Sequence, residues 1–141
     1  MARQSVTGKV AYITGGSKGI GFGIAQSLLT QGAKVAFSSR SLQAATDAAR
    51  QLDPSGNSVL ALESDVASMA SEQKAVEQIL QQFGALDVVI ANAGVGHFAP
   101  IDQLTEADWK HTIDTNLTGV FNTTKASIDP LKKSKGYLIT I

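Results

Sequence analysis

Cysteine is absent from the 141-residue chain. That excludes a disulfide framework and any zinc or iron–sulfur centre held by thiolates. Histidine is scarce. His97 and His111 are too few for a His-built metal site, so no metal is expected. Net charge is missing as well, because twelve Lys and Arg balance twelve Asp and Glu. Nucleic-acid and membrane-surface partners both need clustered basic charge, and neither is expected. No apolar run approaches the roughly 20 residues of a membrane-spanning helix. The N-terminal stretch from Met1 to Gly8 has no apolar leader segment. These absences point to a soluble, cytoplasmic protein. What is present is 43% hydrophobic residue over a length that suits one domain, residues 1–141.

Short apolar runs alternate with longer amphipathic ones. Lys9–Ile13, Lys34–Ser38, Ser58–Glu63, Leu86–Ala91 and Gly136–Ile141 read as strands. The first helix, Ile20–Gln31, groups Ile24, Ala25, Leu28 and Leu29 on one face, and Gly32 stops it. The second follows a Ser41 cap and repeats Leu42, Ala45, Ala49 and Leu52. The third, Ala70–Phe83, carries Val76, Ile79, Leu80 and Phe83 at helical spacing before Gly84. Thr105 with Asp108 resembles a capping box for one long helix, which Pro130 is expected to limit. Strand–helix alternation of this kind implies βαβ units, right-handed crossovers and a parallel sheet. The expected fold is α/β, a doubly wound sheet ordered 3-2-1-4-5. The chain ends inside its last strand, at Ile141, and so reads as part of a longer protein truncated after the fifth strand.

The first strand runs through Thr14-Gly15-Gly16-Ser17-Lys18-Gly19-Ile20-Gly21 straight into a helix. Glycines permit a tight turn and a close backbone approach. A helix N-terminus offers free N–H groups and the positive end of the helix dipole. The combination suits a diphosphate; the alternative is a glycine-rich connector with no ligand. The spacing is T-G-x-x-x-G-x-G, which is neither the G-x-G-x-x-G fingerprint nor a Walker loop.

With this motif the chain resembles the classical short-chain dehydrogenase/reductase family. Three further segments carry the resemblance: Asp65-Val66 after the third strand, Asn92-Ala93-Gly94 after the fourth, and Asn116 in Asn116-Leu117-Thr118-Gly119. It covers essentially the whole chain and implies a Rossmann-type fold binding a nicotinamide dinucleotide. The implied cofactor-binding residues are Gly15, Ser17, Lys18, Gly19, Ile20 and Gly21 in the loop, and Ser39 and Arg40 after the second strand. Asp65 and Val66 stand at the adenine, followed by Asn92, Ala93 and Gly94. Asn116 is the implied active-site residue, holding a water in the family's proton path. The resemblance also implies homo-oligomers packed through the long helix.

Charge bears on which cofactor. A carboxylate at the end of the second strand would accept from a ribose 2′-hydroxyl and repel a 2′-phosphate. This chain has Ser38-Ser39-Arg40 there. Arg40 offers a planar fork to phosphate oxygens and Lys18 a second cation, which favours NADP(H) over NAD(H). Both are also compatible with ordinary solvated charges. Asp65 and Asn92 have turn-forming readings as well, and Asn116 can bond across toward the fourth strand and bend its helix.

The family transfers hydride between the nicotinamide and a carbonyl or secondary alcohol, using a serine and a Tyr-x-x-x-Lys pair. Here Tyr12 is followed four residues on by Gly16, and Tyr137 by Ile141. Neither forms that pair, and both read as sheet residues. The expectation is the dinucleotide-binding portion of an NADP(H)-dependent oxidoreductase, inactive as residues 1–141 alone. The alternative is a non-catalytic dinucleotide-binding sensor or interaction domain. His97, His111 and the Lys132-Lys133-Ser134-Lys135 run read as structural or solvated.

Overall fold

The computed structural model describes residues 5–141; the leader reading of residues 1–4 lies outside the described residues. Five strands are joined by five helices, one between each pair of strands except for two between the fourth and fifth. They are β1 (Val10–Ile13), α1 (Gly19–Thr30), β2 (Lys34–Ser39), α2 (Leu42–Leu52), β3 (Val59–Glu63), α3 (Met69–Phe83), β4 (Val88–Ala91), α4 (Glu106–Ile113), α5 (Gly119–Ser134) and β5 (Tyr137–Thr140). A π-helical turn, Asp114–Thr118, joins α4 to α5.

All strand pairs are parallel, in the order β3-β2-β1-β4-β5. This is the Rossmann-type sheet that the alternation predicts. Strand periodicity divides the core. On one face Val10, Tyr12, Ala36, Leu62 and Val89 pack with Ala75, Val76 and Ile79 of α3 and Leu131 of α5. On the other face Ile13, Val35, Phe37 and Ile90 meet Ala25 of α1 and Ala45 and Ala48 of α2. Ser41 caps α2 by accepting from the Ala44 N–H, and Ser68 caps α3 by accepting from the Ser71 N–H. Thr105 and Asp108 form a reciprocal capping box on α4.

Two expectations need correction. The single long helix is α4 and α5 separated by the π turn. Nor does Pro130 end it: α5 continues to Ser134. Leu131 is buried in the core and the Ser134 hydroxyl donates to Leu86 O at 2.7 Å, so tertiary packing holds the last turn in place beyond the proline. The large apolar residues in the first half of this helical pair face outward. Trp109, Leu117 and Phe121 are each about 60% exposed (60%, 65% and 59%), while the buried side of α5 is Gly119, Asn122, Thr123, Ser127 and Leu131.

Candidate functional site

The carboxyl ends of β1 to β4 converge on the glycine loop. Gly15 has φ +67°, which a side chain rarely tolerates, and a Cβ there would lie 2.9 Å from Ala93 Cα. A Cβ on Gly21 would lie 2.6 Å from Gly15 O. These positions are closed to side chains because backbone passes against backbone. The loop is tied to β2 by the Gly16 N–H, which donates to Ser38 O at 3.0 Å. It is tied to β4 by Thr14, whose Oγ1 accepts from the N–H groups of Asn92 and Ala93, both at 3.0 Å. The Asn92 amide completes the tie, donating to Thr14 O at 3.0 Å and Gly15 O at 3.2 Å. Its side-chain donor is thus spent on holding the loop, the turn-forming role the sequence left open.

α1 starts at the far side of this loop. No side chain caps its N-terminus and no acidic residue lies in its first turn. Its free N–H groups and dipole are therefore left for an anion. They open onto a cavity of about 620 Å³. Gly15, Ser17, Lys18, Gly19 and Ile20 line it from the loop, and Ser39 and Arg40 from the end of β2. Asp65 and Val66 enter after β3, and Asn92, Ala93 and Gly94 after β4. Gly21 lies beneath, buried against Gly15 and Asn92. A second cavity of about 420 Å³ continues past the β3 edge and shares Arg40, Ser64 and Asp65 with the first. Two cations, Lys18 and Arg40, thus face one groove whose β2 end carries no carboxylate.

Asn116 is set apart from the cavity lining. It sits in the π turn, where its Oδ1 accepts from the Val95 N–H at 2.8 Å and its Nδ2 donates to Val95 O at 2.7 Å. Its amide therefore pairs with the backbone of the segment after β4, and the helix widens at that point. Its neighbour Thr115 lines the cavity instead. Val66 is buried against Gly119, where a Cβ would lie 2.6 Å from Val66 Cγ2, and its carbonyl accepts from Asn122 Nδ2 at 2.8 Å. Asp65 Oδ1 accepts from the Ala67 N–H at 3.0 Å, a local turn at the edge of the groove that the residue lines.

As site residues, sequence reasoning missed Ser38, Ser41, Ala44, Ser64, Val95 and Thr115 of this cavity. Ser64 could have been found by carrying the third strand one residue further, and Ser38 already ended the second strand without being given a site role. Thr115 has no comparable signal, because the π turn shifts which residue faces inward. Of the remaining candidates, His97 Nδ1 lies 3.6 Å from Asp108 Oδ1 and is half exposed. Tyr12 is fully buried; burial, followed by the nearby Glu72 carboxyl, holds its phenol well above the usual tyrosine range, so it stays a neutral donor. Among the described residues no cluster of acidic or imidazole groups could hold a metal.

The family model described as short chain dehydrogenase matches residues 9–141. The chain belongs to the short-chain dehydrogenase family. Among curated relatives, an uncharacterized oxidoreductase of Methylorubrum extorquens is 40% identical over 125 residues, covering 88% of this chain and 50% of that protein. Among solved structures, an alcohol dehydrogenase of Thermococcus sibiricus complexed with 5-hydroxy-NADP superposes with a TM-score of 0.88 at 37% identity. That match covers 94% of this chain and 57% of the other. A 3-ketoacyl-(acyl-carrier-protein) reductase of Brucella melitensis complexed with NADH gives 0.86 at 32% identity, covering 92% and 52%. The short-chain dehydrogenase chain described here spans about half the length of the curated relatives it matches. No helix among its described residues is long and apolar enough to cross a membrane.

Proposed function

We propose that residues 1–141 form the NADP(H)-binding portion of an oxidoreductase that moves hydride between the nicotinamide and a carbonyl or secondary alcohol. One observation carries the reading: an uncapped helix N-terminus, a side-chain-free glycine cradle and two cations open onto a single cavity. A diphosphate fits the first two. The dianionic 2′-phosphate fits Arg40, with Lys18 near it, and no carboxylate at the β2 end repels it. When bound, the cofactor supplies the hydride. This chain supplies the cradle for the diphosphate, Asp65 and Val66 at the adenine end, and the Asn92-Ala93-Gly94 wall. Asn116, through Val95, positions the segment that follows β4.

The chain's own tyrosines do not supply the proton. Tyr12 is sealed in the core, and Tyr137 has no lysine four residues on. Residues 1–141 alone are therefore expected to bind cofactor without turnover, as a sensor would. The two readings separate by assaying NADPH oxidation with a panel of carbonyls, using any longer protein that carries this segment. The exposed Trp109, Leu117 and Phe121 stripe on α4, the π turn and α5 is the proposed contact face for a second copy. The cofactor reading is tested with Arg40→Ser. NADPH affinity is expected to fall roughly ten- to a hundredfold, the loss of charge-assisted bonds to phosphate, while NADH affinity stays within about twofold. Equal loss for both would remove Arg40 from phosphate recognition.

A further inference from the structure

Glu72 lies at the first turn of α3 and is completely buried. A carboxyl group in that position is costly unless its oxygens are bonded. Here they accept from hydroxyls on three different elements. Tyr12 of β1 donates to Oε1 at 2.9 Å, Ser64 at the end of β3 donates to Oε1 at 2.6 Å, and Thr123 of α5 donates to Oε2 at 2.8 Å. The Tyr12 hydroxyl also lies 3.2 Å from Ser38 Oγ at the end of β2. Each of these side chains is buried.

The placement of this network matters. Ser38 and Ser64 line the main cavity, whereas Tyr12 belongs to the apolar core beneath it. Ser38 also supplies the carbonyl that holds the Gly16 N–H, and it precedes Ser39 and Arg40. Ser64 precedes Asp65 and Val66. The carboxyl therefore holds the end of β3 directly and the end of β2 through the Tyr12 hydroxyl, and it fastens both to α5. Stability alone does not call for a carboxyl here, since replacing a whole buried polar network by well-packed apolar groups of similar volume is often neutral.

We infer that Glu72 is a positioning residue for the adenosine half of the dinucleotide site, acting through Ser38 and Ser64 on the floor of the cavity. The inference rests on the dinucleotide reading above. It adds a residue that touches no ligand and serves the site by setting the strand ends.

The test uses 2′,5′-ADP, which carries the adenosine half without nicotinamide, alongside NADPH. Tyr12→Phe/Glu72→Leu/Thr123→Val replaces the buried network with apolar groups and leaves the two serines beside the cavity. It is expected to unfold cooperatively near the parent midpoint, yet bind both ligands roughly tenfold more weakly. Glu72→Gln has the same shape and still offers an acceptor to Tyr12 and Ser64. It is expected to keep affinity to within about threefold. A folded triple variant with parent affinity would overturn the positioning role. If the triple variant does not fold, Tyr12→Phe decides, with weaker binding supporting the role and unchanged binding overturning it. A parent chain that binds neither ligand fails at the dinucleotide reading, and the positioning role falls with it.

Discussion

At the scale of single residues, the site is built mainly by exclusion of side chains. Gly21 shows this most directly, because a Cβ would lie 2.6 Å from both Gly15 O and Asn92 Nδ2. Gly21→Ala is expected to lower stability by about 1–3 kcal/mol, the usual range for overpacking. It should also abolish dinucleotide binding, since Asn92 holds the loop from that point; thermal denaturation with a parallel NADPH titration checks both. An unchanged melting midpoint would contradict the tight contact. The glycine loop was legible in the sequence because close backbone contact leaves glycine as the usable residue. That Arg40 lines the cavity was legible from its place at the end of the second strand, next to the glycine loop. Glu72 was not singled out, although it precedes Val76, Ile79 and Phe83 by four, seven and eleven residues, a charged side chain on the core-facing stripe. That mismatch between charge and helical face was the available signal.

At the scale of elements, local chemistry sets the helix starts and tertiary packing overrides some of the ends. The Thr105–Asp108 box was readable from spacing alone. Thr105→Ala is expected to cost about 1 kcal/mol, the typical worth of such a cap. The Thr105 hydroxyl bond above all, aided by its backbone N–H and by His97 and His111, holds the Asp108 carboxyl below the usual aspartate range. A carboxyl whose folded value is depressed stabilises the folded state above its unfolded value, roughly pH 3.9. That contribution is lost as pH falls through the lower folded value. Protection of the amides in the first turn of α4, taken relative to the intrinsic exchange rate at each pH, is therefore expected to fall below about pH 4, and Asp108→Asn is expected to remove most of that pH dependence. A turn that exchanges identically in both proteins would contradict the box. The π turn and the continuation past Pro130 were not legible. The extra residue in the π turn leaves the apolar spacing intact on either side, and Pro130 is overruled by Leu131 and Ser134 at long range.

At the scale of the whole molecule, strand–helix alternation and all-parallel pairing made the 3-2-1-4-5 order legible, because few topologies satisfy right-handed crossovers. β5 lies at the edge of the sheet, paired with β4, and Leu138, Ile139 and Ile141 are exposed. An apolar strand at a sheet edge is a template for pairing with another chain. Residues 1–141 in isolation are expected to associate with rising concentration, and Ile139→Lys is expected to reduce that association. Sedimentation equilibrium checks this, and a monomer at every concentration would contradict it. The dinucleotide claim stands or falls on a direct calorimetric titration of the chain with NADPH and then with NADH. The account predicts saturable one-to-one binding of both, with NADPH at least tenfold tighter through Arg40. Heat-silent titrations with both cofactors, backed by an unshifted melting midpoint at saturating concentrations, would contradict it.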